Sequence, residues 1–262
     1  MMIYEICAHT HTGLERDNNE DAVAFNVPMQ LCILADGMGG YNAGEVASTM
    51  AAAFIKSEMV RWLAQVGARA NNKEVRRALE ICVENANHAI FHAALSNPEY
   101  AGMGTTLVVA VFQDDRLVLG HIGDSRCYRL RGIEFQQLTK DHSILQEQID
   151  AGLVTPEQAL TASNKNLVTR ALGVENAVSL EINEHCVEVG DLYVMCSDGL
   201  SDMVSAAAIA RILKGANTLQ QKARQLIIIA NEAGGHDNIS VLLVQTKPAP
   251  AKRNFLSKML RK

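Results

Sequence analysis

Four aspartates in this sequence share a local pattern that could hold a cation. Asp36, Asp124, Asp198 and Asp237 each lie beside glycine or in a glycine turn, at one end of an apolar segment. A single aspartate of this kind is usually a turn residue. Four in one chain, with the acidic pair Glu20-Asp21 as a fifth element, match the oxygen ligands that Mg²⁺ and Mn²⁺ prefer. The sequence therefore predicts a divalent-metal site.

The segment around Asp36 is the predicted centre of that site. The apolar residues 31–35 read as a buried strand that ends at Asp36, and Gly37, Gly39 and Gly40 allow a tight turn before an alanine-rich helix. A carboxylate followed by glycine can present side-chain and carbonyl oxygens to the same small volume, as hard divalent cations require.

The polar run from Arg16 to Asp21 allows two interpretations. Six consecutive charged or amide side chains are typical of an exposed hairpin loop. The alternative is a loop that carries an anion-binding arginine, Arg16, next to metal-binding carboxylates, Glu20 and Asp21.

The elements that must position these residues are short strands followed by helices. Asp141 is a plausible N-cap of one helix, Thr155 begins a second cap signature, and the polar segment from Leu160 to Leu172 is predicted to be a flap. Short strands joined by tight turns indicate antiparallel sheets. The predicted strands cover 2–12, 22–27, 31–35, 104–112, 117–122, 127–131, 134–138, 191–196 and 239–244, and the main helices cover 44–70, 72–95, 202–213 and 219–233.

Composition and charge limit the classes of protein that fit. The chain has 262 residues, 48% of them hydrophobic, and a formal net charge of −5. No apolar run approaches the roughly 18 residues of a membrane helix, the N-terminus lacks signal-peptide features, and the six cysteines are scattered. We expect a cytoplasmic protein without a transmembrane segment, and a monomer.

The C-terminal tail carries a charge opposite to that of the body. Residues 247–262 hold six basic and no acidic residues, so residues 1–246 keep 18 basic against 29 acidic residues, a formal charge of −11. An acidic body argues against nucleic-acid binding. The tail is predicted to be either a disordered solubilising end or a segment that docks on an acidic partner or an anionic membrane surface.

Other glycine and serine motifs do not match this sequence. A dinucleotide-binding Gly-x-Gly-x-x-Gly that starts at Gly37 would need glycine where Asn42 stands, and no phosphate-binding Gly-x-x-x-x-Gly-Lys-Ser/Thr occurs. Ser125 and Ser197 lack the flanking glycines of a nucleophile elbow.

Six short motifs in order resemble those of a known family. The chain is similar to the metal-dependent serine/threonine protein phosphatases, the PPM or protein phosphatase 2C family, and in particular to their compact bacterial members. The similarity spans residues 1 to about 246. The motifs are Arg16-x-x-Asn19-Glu20-Asp21, Asp36-Gly37-Met38-Gly39-Gly40, Met103-Gly104-Thr105-Thr106, Gly123-Asp124-Ser125-Arg126, Ser197-Asp198-Gly199 and Asp237-Asn238.

This resemblance implies a fold and a cofactor. The expected fold is α+β, a four-layer α/β/β/α sandwich in which helices flank two antiparallel sheets. Residues 1–246 would form the catalytic domain and 247–262 a flexible tail. The expected cofactor is Mn²⁺ or Mg²⁺, bound as a pair, with a third ion in bacterial relatives.

Roles for individual residues also follow from the resemblance. Asp36 would bridge two metals, the Gly37 carbonyl would bind one of them, and Asp198 and Asp237 would complete the first coordination sphere. Asp124, together with Asp198, would form the third site, near a flap oxygen of Thr161 or Ser163. Supporting roles are implied for Arg16 as the phosphate-binding residue, Glu20 as a ligand through water, and Asp21 and Asn238 as second-layer residues.

The implied activity is the hydrolysis of phosphoserine and phosphothreonine in proteins, reversing a bacterial serine/threonine kinase. Animal relatives carry a histidine after the bridging Asp-Gly as the proposed general acid, whereas this chain has Met38, so a metal-bound water and His142 are the candidates for proton donor. Two alternatives are an inactive phosphoprotein-binding scaffold of the same fold, and a metal-dependent phosphodiesterase or nuclease, which the acidic body opposes.

Overall fold

Two antiparallel β-sheets pack face to face, and each is covered on its outer side by helices. The computed structural model describes residues 2–40, 43–66, 70–155, 158 and 167–249. Within these residues the layer order is α/β/β/α, which confirms the predicted fold class.

The first sheet has five antiparallel strands in the order β1-β11-β10-β7-β8. Its strands are β1 (Met2–His11), β11 (Ile239–Pro248), β10 (Leu192–Cys196), β7 (Arg126–Arg131) and β8 (Glu134–Gln137). The second sheet has the order β2-β3-β5-β6-β9, and β4 pairs with the end of β3. Its strands are β2 (Asp21–Asn26), β3 (Leu31–Met38), β4 (Gly104–Thr105), β5 (Leu107–Gln113), β6 (Arg116–Ile122) and β9 (Glu181–Cys186).

Two pairs of helices form the outer layers. Helices α1 (Ala43–Val66) and α2 (Asn72–Ser96) cover the second sheet, and α5 (Ala206–Lys214) and α6 (Leu219–Glu232) cover the first. Shorter helices are α3 (Ile144–Asp150), α4 (Asp198–Ser201) and a 3₁₀ turn at Pro98–Tyr100. None of the described helices combines the length and apolar character that crossing a lipid bilayer requires.

The central strands consist of continuous apolar residues because both of their faces are buried. In β3, Leu31, Ile33 and Ala35 pack toward the helices. The alternate residues Cys32 and Leu34 pack between the two sheets. Successive side chains of a strand point to opposite faces, so a strand between two packed layers needs apolar residues at every position.

Strand β3 extends further than its apolar run indicated. It continues to Met38, because Gly37 and Met38 pair with Thr105 and Gly104 of β4. Asp36 therefore lies within the strand and not after its end. Strand β11 likewise continues to Pro248, so Lys247 and Pro248 belong to the first sheet rather than to the predicted flexible tail. Residues 250–262, the remainder of the predicted tail, lie outside the described residues.

Two helix starts were predicted too early. Helix α3 is capped by the Ser143 hydroxyl, which accepts from the Gln146 N–H at 3.2 Å. The predicted N-cap, Asp141, instead accepts hydrogen bonds from Arg126. The helix predicted from Asp202 begins at Ala206, where Ser205 caps it. In each case a serine supplies the capping oxygen, which serine and aspartate do about equally well.

Candidate active site

The strand register brings two acidic side chains together at one end of the second sheet. Asp21 of β2 lies directly opposite Asp36 of β3. Residues directly opposite in an antiparallel pair point to the same face, and like charges there are destabilising. Asp36 follows Cys32 and Leu34 in the alternation of β3, so its side chain points to the side that faces the other sheet.

A threonine and a serine connect Asp36 to the turn that holds Asp124. The Asp36 N–H donates to the Thr106 hydroxyl at 3.1 Å, and the Thr106 N–H donates to the Asp36 carbonyl at 2.9 Å. The Thr106 hydroxyl also lies 2.8 Å from the Ser125 hydroxyl. The Thr105 hydroxyl adds a 2.9 Å bond to the Asp36 carbonyl. These supporting roles were not predicted, although both threonines and Ser125 belong to the quoted motifs.

The loop between β1 and β2 docks onto the turn before β11. The side-chain amide of Asn238 donates to the carbonyls of Thr12 at 2.8 Å and Asn18 at 2.9 Å. Its oxygen accepts from the Glu20 N–H at 2.7 Å. All three bonds of this buried amide therefore fix the backbone that carries Arg16 and Glu20.

Arg16 and Glu20 lie at the rim of the aspartate group. The Arg16 guanidinium donates to the Asp237 carboxylate at 2.7 Å while its side chain stays 53% exposed. The Glu20 carboxylate lies against Gly44 in the first turn of α1, where a side chain on residue 44 would collide with it. The loop thus places an arginine next to carboxylates.

Asp21 is held by the first sheet through Ser197. The Ser197 hydroxyl donates to Asp21 Oδ2 at 2.8 Å, and the Ser240 N–H donates to the Ser197 hydroxyl at 2.9 Å. Asp21 Oδ1 is buried and makes no hydrogen bond with the described residues. Asp198 follows as the first residue of α4. An unpaired buried carboxylate oxygen beside further aspartates is an environment in which a cation would be stabilising.

The aspartates repel one another strongly. Burial raises the pKa of Asp36 well above its ordinary value, and the charges of Asp21, Asp198, Asp124 and Asp237 raise it further. Burial likewise raises the pKa of Asp198 well above the ordinary range, followed by the effects of Asp124 and Asp237. Burial also raises the pKa of Asp21 to about 7 and that of Asp124 to about 6. A set of oxygen donors with this much uncompensated charge fits hard divalent cations.

His142 belongs to a separate cluster with His121 and Glu181. Among the described residues, these three place one potential ligand atom each within 4.8 Å of one another. His142 Nδ1 accepts from the Gly123 N–H at 3.2 Å, and Nε2 lies 3.2 Å from both the Glu181 carboxylate and the Arg170 guanidinium. Burial lowers the pKa of His142. With both ring nitrogens engaged, His142 is poorly suited to donate a proton to a leaving group.

Nevertheless, the His142 cluster adjoins the site. The His142 N–H donates to the Gly123 carbonyl at 2.9 Å, so two bonds hold the turn that precedes Asp124. Gly123 has a φ of +97°, which favours glycine. Glu181 belongs to none of the sequence motifs, so its contact with His142 was not predicted. The predicted flap oxygens, Thr161 and Ser163, lie outside the described residues.

Comparison with known proteins identifies relatives over most of the chain. The family model described as Protein phosphatase 2C matches residues 8–229. The chain is 39% identical over 239 residues to the serine/threonine phosphatase stp of Listeria innocua, covering 90% of this chain and 93% of the relative.

Two solved structures have the same fold. The serine/threonine phosphatase PstP/Ppp of Mycobacterium tuberculosis has a TM-score of 0.85 at 37% identity, covering 94% of this chain and 100% of that chain. The catalytic domain of the phosphatase PstP in complex with two manganese ions has a TM-score of 0.81 at 36% identity, covering 95% of this chain and 100% of that one.

Proposed function

This chain belongs to the protein phosphatase 2C family, and we propose that its aspartate cluster binds Mn²⁺ or Mg²⁺ to hydrolyse phosphoserine and phosphothreonine in proteins. The observation that carries this proposal is the group of mutually repelling carboxylates at one end of the two sheets. Burying charge without compensation is costly, and bound cations would remove that cost.

The residues present allow a specific ligand assignment. Asp36 would bridge two cations, and the Gly37 carbonyl would bind one of them. Asp198 and Asp237 would complete the first cation's ligands. Glu20 would act through water, with Asp21 and Asn238 as the supporting layer, and Asp124 would join Asp198 in a third site. In support, burial raises the pKa of both Asp36 and Asp198, and the charges of Asp124 and Asp237 raise both further.

Arg16 would bind the substrate phosphate. Its guanidinium is exposed and only 2.7 Å from Asp237, so it lies within side-chain reach of the same volume. The planar donors of arginine bind two phosphate oxygens at once, and lysine is a poorer substitute. Asn238 orients this loop through its three hydrogen bonds.

When bound, the cations would supply positive charge for the phosphate and acidify water as the nucleophile. The protein therefore needs no nucleophilic side chain. Its own contribution is to hold the carboxylates and Arg16 in place before the substrate arrives. Thr106 does so for Asp36, Ser197 for Asp21, and His142 for the turn that carries Asp124.

We further propose that the physiological substrates are phosphoproteins made by a serine/threonine kinase in the cytoplasm. Five of the six cysteines are buried free thiols, which suits a reducing compartment. The basic tail would dock on an acidic partner or an anionic membrane surface, which deletion of 250–262, beyond the end of β11, with assays of activity and localisation would test.

The test of the proposed function is Mn²⁺-dependent release of phosphate from a phosphothreonine peptide. We expect release by the wild-type chain, abolition in Asp36→Asn, and full activity in Asp115→Asn, an exposed aspartate in the turn at the opposite end of β6 from Asp124. Calorimetric titration with Mn²⁺ alone should show binding to wild type and weakened binding to Asp36→Asn. Tight peptide binding without phosphate release from a folded, Mn²⁺-loaded sample would favour the scaffold alternative instead.

A further inference from the structure

The His142 ring connects the edge of the second sheet to the turn that carries Asp124. His121 and Glu181 lie directly opposite each other on β6 and β9, so their side chains point to the same face of the sheet. The His142 ring stacks on the His121 ring, with ring centres 4.7 Å apart and planes inclined by 16°. Its Nε2 lies within hydrogen-bond distance of Glu181. The buried ring is therefore fixed by groups that lie outside the proposed metal ligands.

His142 holds Gly123 on both sides of that residue. The His142 N–H donates to the Gly123 carbonyl at 2.9 Å, and the Gly123 N–H donates to His142 Nδ1 at 3.2 Å. The Gly123 carbonyl shares one rigid peptide plane with the Asp124 N–H, so rotation of that plane would turn Asp124 as well. Thr106 packs against Gly123, where a Cβ atom would lie 2.7 Å from the threonine methyl group. The direction of the Asp124 carboxylate therefore depends on both bonds from His142.

The bond from the Gly123 N–H requires a lone pair on His142 Nδ1. Burial lowers the pKa of His142, which favours the neutral ring. In a neutral imidazole one nitrogen carries the proton and the other accepts, so an accepting Nδ1 places the proton on Nε2. The other tautomer would set an Nδ1 proton against the Gly123 N–H, and one of the two bonds that hold the turn would be lost.

Two neighbours of His142 Nε2 favour opposite tautomers of the ring. Nε2 lies 3.2 Å from Glu181 Oε2 and 3.2 Å from Arg170 Nη1. An ionised carboxylate can only accept a hydrogen bond, so Glu181 favours a proton on Nε2. A guanidinium can only donate, so Arg170 favours a lone pair there. Only the tautomer that Glu181 favours leaves Nδ1 able to accept from Gly123.

Glu181 is the more firmly held of these two neighbours. The side-chain amide of Asn183 donates to Glu181 Oε1 at 3.2 Å. Glu181 is half-buried, whereas Arg170 is exposed. Burial acts to raise the pKa of Glu181, but the hydrogen bond with His142 helps to bring it below its ordinary value, so the carboxylate is ionised at neutral pH. An electrostatic interaction is stronger where less water surrounds the charges, which favours Glu181 over Arg170.

We propose that Glu181 is a positioning residue for the metal-binding turn: it keeps the His142 proton on Nε2, and thereby keeps Nδ1 as the acceptor that fixes Gly123 and Asp124. Residues that lie one layer outside the ligands commonly tune metal affinity by orienting the groups next to them. The inference rests on the proposed role of Asp124 as a metal ligand, and it assigns a function to a residue of strand β9.

The first test measures the His142 tautomer in metal-free, ¹⁵N-labelled protein at pH 8, by long-range ¹⁵N–¹H correlation spectra of the imidazole rings. Wild type should carry the proton on Nε2. In Glu181→Ala the Nδ1-protonated fraction should rise about tenfold, the size of a hydrogen bond to a charged group. Removing Arg170 as well, in Glu181→Ala with Arg170→Ala, should return the proton to Nε2. The matched control is Glu184→Ala, at an exposed glutamate of the same strand, which should keep the wild-type tautomer.

The second test measures Mn²⁺ binding by calorimetric titration of the same proteins. In Glu181→Ala the weakest Mn²⁺ binding step should have an about fivefold higher Kd than in wild type, the size of one neutral hydrogen bond. With an aryl phosphate as substrate, the Mn²⁺ concentration for half-maximal rate should rise by the same factor. At saturating Mn²⁺ the kcat should stay within about twofold of wild type, because bound metal favours the correctly formed site. Glu184→Ala should match wild type in all three values.

The possible outcomes separate this inference from the proposed function. A wild-type His142 protonated on Nδ1, or an unchanged tautomer in Glu181→Ala, would overturn the inference alone. A changed tautomer with unchanged Mn²⁺ affinity would also overturn it, because Glu181 would then orient the ring without positioning Asp124. If Glu181→Ala does not fold, Glu181→Gln gives the same reading, since an amide can also donate to Nε2. Absence of Mn²⁺ binding and of hydrolysis in folded wild type would overturn the proposed function and this inference with it.

Discussion

Replacing Asp124 by asparagine should stabilise the metal-free protein. Asp124 is only 8% exposed, and its carboxylate lies among Asp141, Asp202 and Asp198. Burial, followed by the charges of Asp141 and Asp202, raises its pKa from 3.8 to about 6. Asparagine has nearly the same shape and no charge, so it removes the repulsion while it keeps the packing.

The magnitude follows from the pKa difference. One pKa unit corresponds to about 1.4 kcal/mol, so the shift of Asp124 corresponds to a cost of at most about 3 kcal/mol. Because the folded protein binds this proton more tightly than the unfolded chain, stability falls as the pH rises from about 4 through about 6. The full cost is therefore present at pH 8 and about half of it at pH 5. Allowing for relaxation, we expect a gain of about 1–3 kcal/mol at pH 8.

The assay is thermal or urea unfolding in EDTA at pH 5 and pH 8, with and without Mn²⁺. The gain at pH 8 corresponds to an increase of roughly 3–9 °C in Tm. Added Mn²⁺ should raise the Tm of wild type more than that of Asp124→Asn, because ligand binding stabilises the folded state according to affinity. Asp115→Asn, at an exposed aspartate, should change stability by less than about 0.5 kcal/mol. A lower Tm for Asp124→Asn than for wild type in EDTA at pH 8 would refute the electrostatic reasoning.

Three further substitutions test other parts of the site. Arg16→Ala should lower kcat/KM for a phosphopeptide by about 100-fold, because a charge-assisted hydrogen bond contributes about 1.5–3 kcal/mol. Arg16→Lys should recover part of this loss. An unchanged kcat/KM of Arg16→Ala in steady-state kinetics would contradict a phosphate-binding role. Thr106→Val removes the acceptor for the Asp36 N–H and should lower the free energy of unfolding in urea by about 1–3 kcal/mol. It should also weaken Mn²⁺ binding in calorimetry. An unaltered Mn²⁺ affinity would show that Thr106 contributes to stability alone. Gly37→Ala places a methyl group against the Gly44 carbonyl and should lower the free energy of unfolding by about 3 kcal/mol or more. Gly40→Ala, with open space around residue 40, should leave the unfolding midpoint nearly unchanged. Equal effects of the two substitutions would show that the close approach at Gly37 is easily relieved.

Local patterns were sufficient for the elements and for the nature of the site. Apolar runs such as residues 31–35 indicated buried strands because side chains alternate between two faces, and both faces are covered here. The repeated Asp-Gly pattern indicated oxygen ligands because it is a short-range feature, carried by adjacent residues. Local patterns also predicted helix α2 over 72–95, close to its observed bounds, Asn72–Ser96.

Local patterns were insufficient wherever a partner comes from a distant part of the chain. Asp141 looked like an N-cap, but Arg126, fifteen positions earlier, forms a stronger charge-assisted pair with it, and Ser143 takes the cap. Strand β3 extends past its apolar run only because β4 lies beside it. No pattern near His142 indicated that Glu181 would engage its ring.

The sequence by itself therefore determined which residue types are available for metal and phosphate chemistry, and on which kind of element each one lies. Only the tertiary structure decided which of them meet: Asp21 lies opposite Asp36 through strand register, and Arg16 contacts Asp237 across 221 positions. The physical reason is that alternation and turn chemistry act over a few residues. Which carboxylates share a volume, and hence how strongly they repel one another, depends on how the two sheets pack.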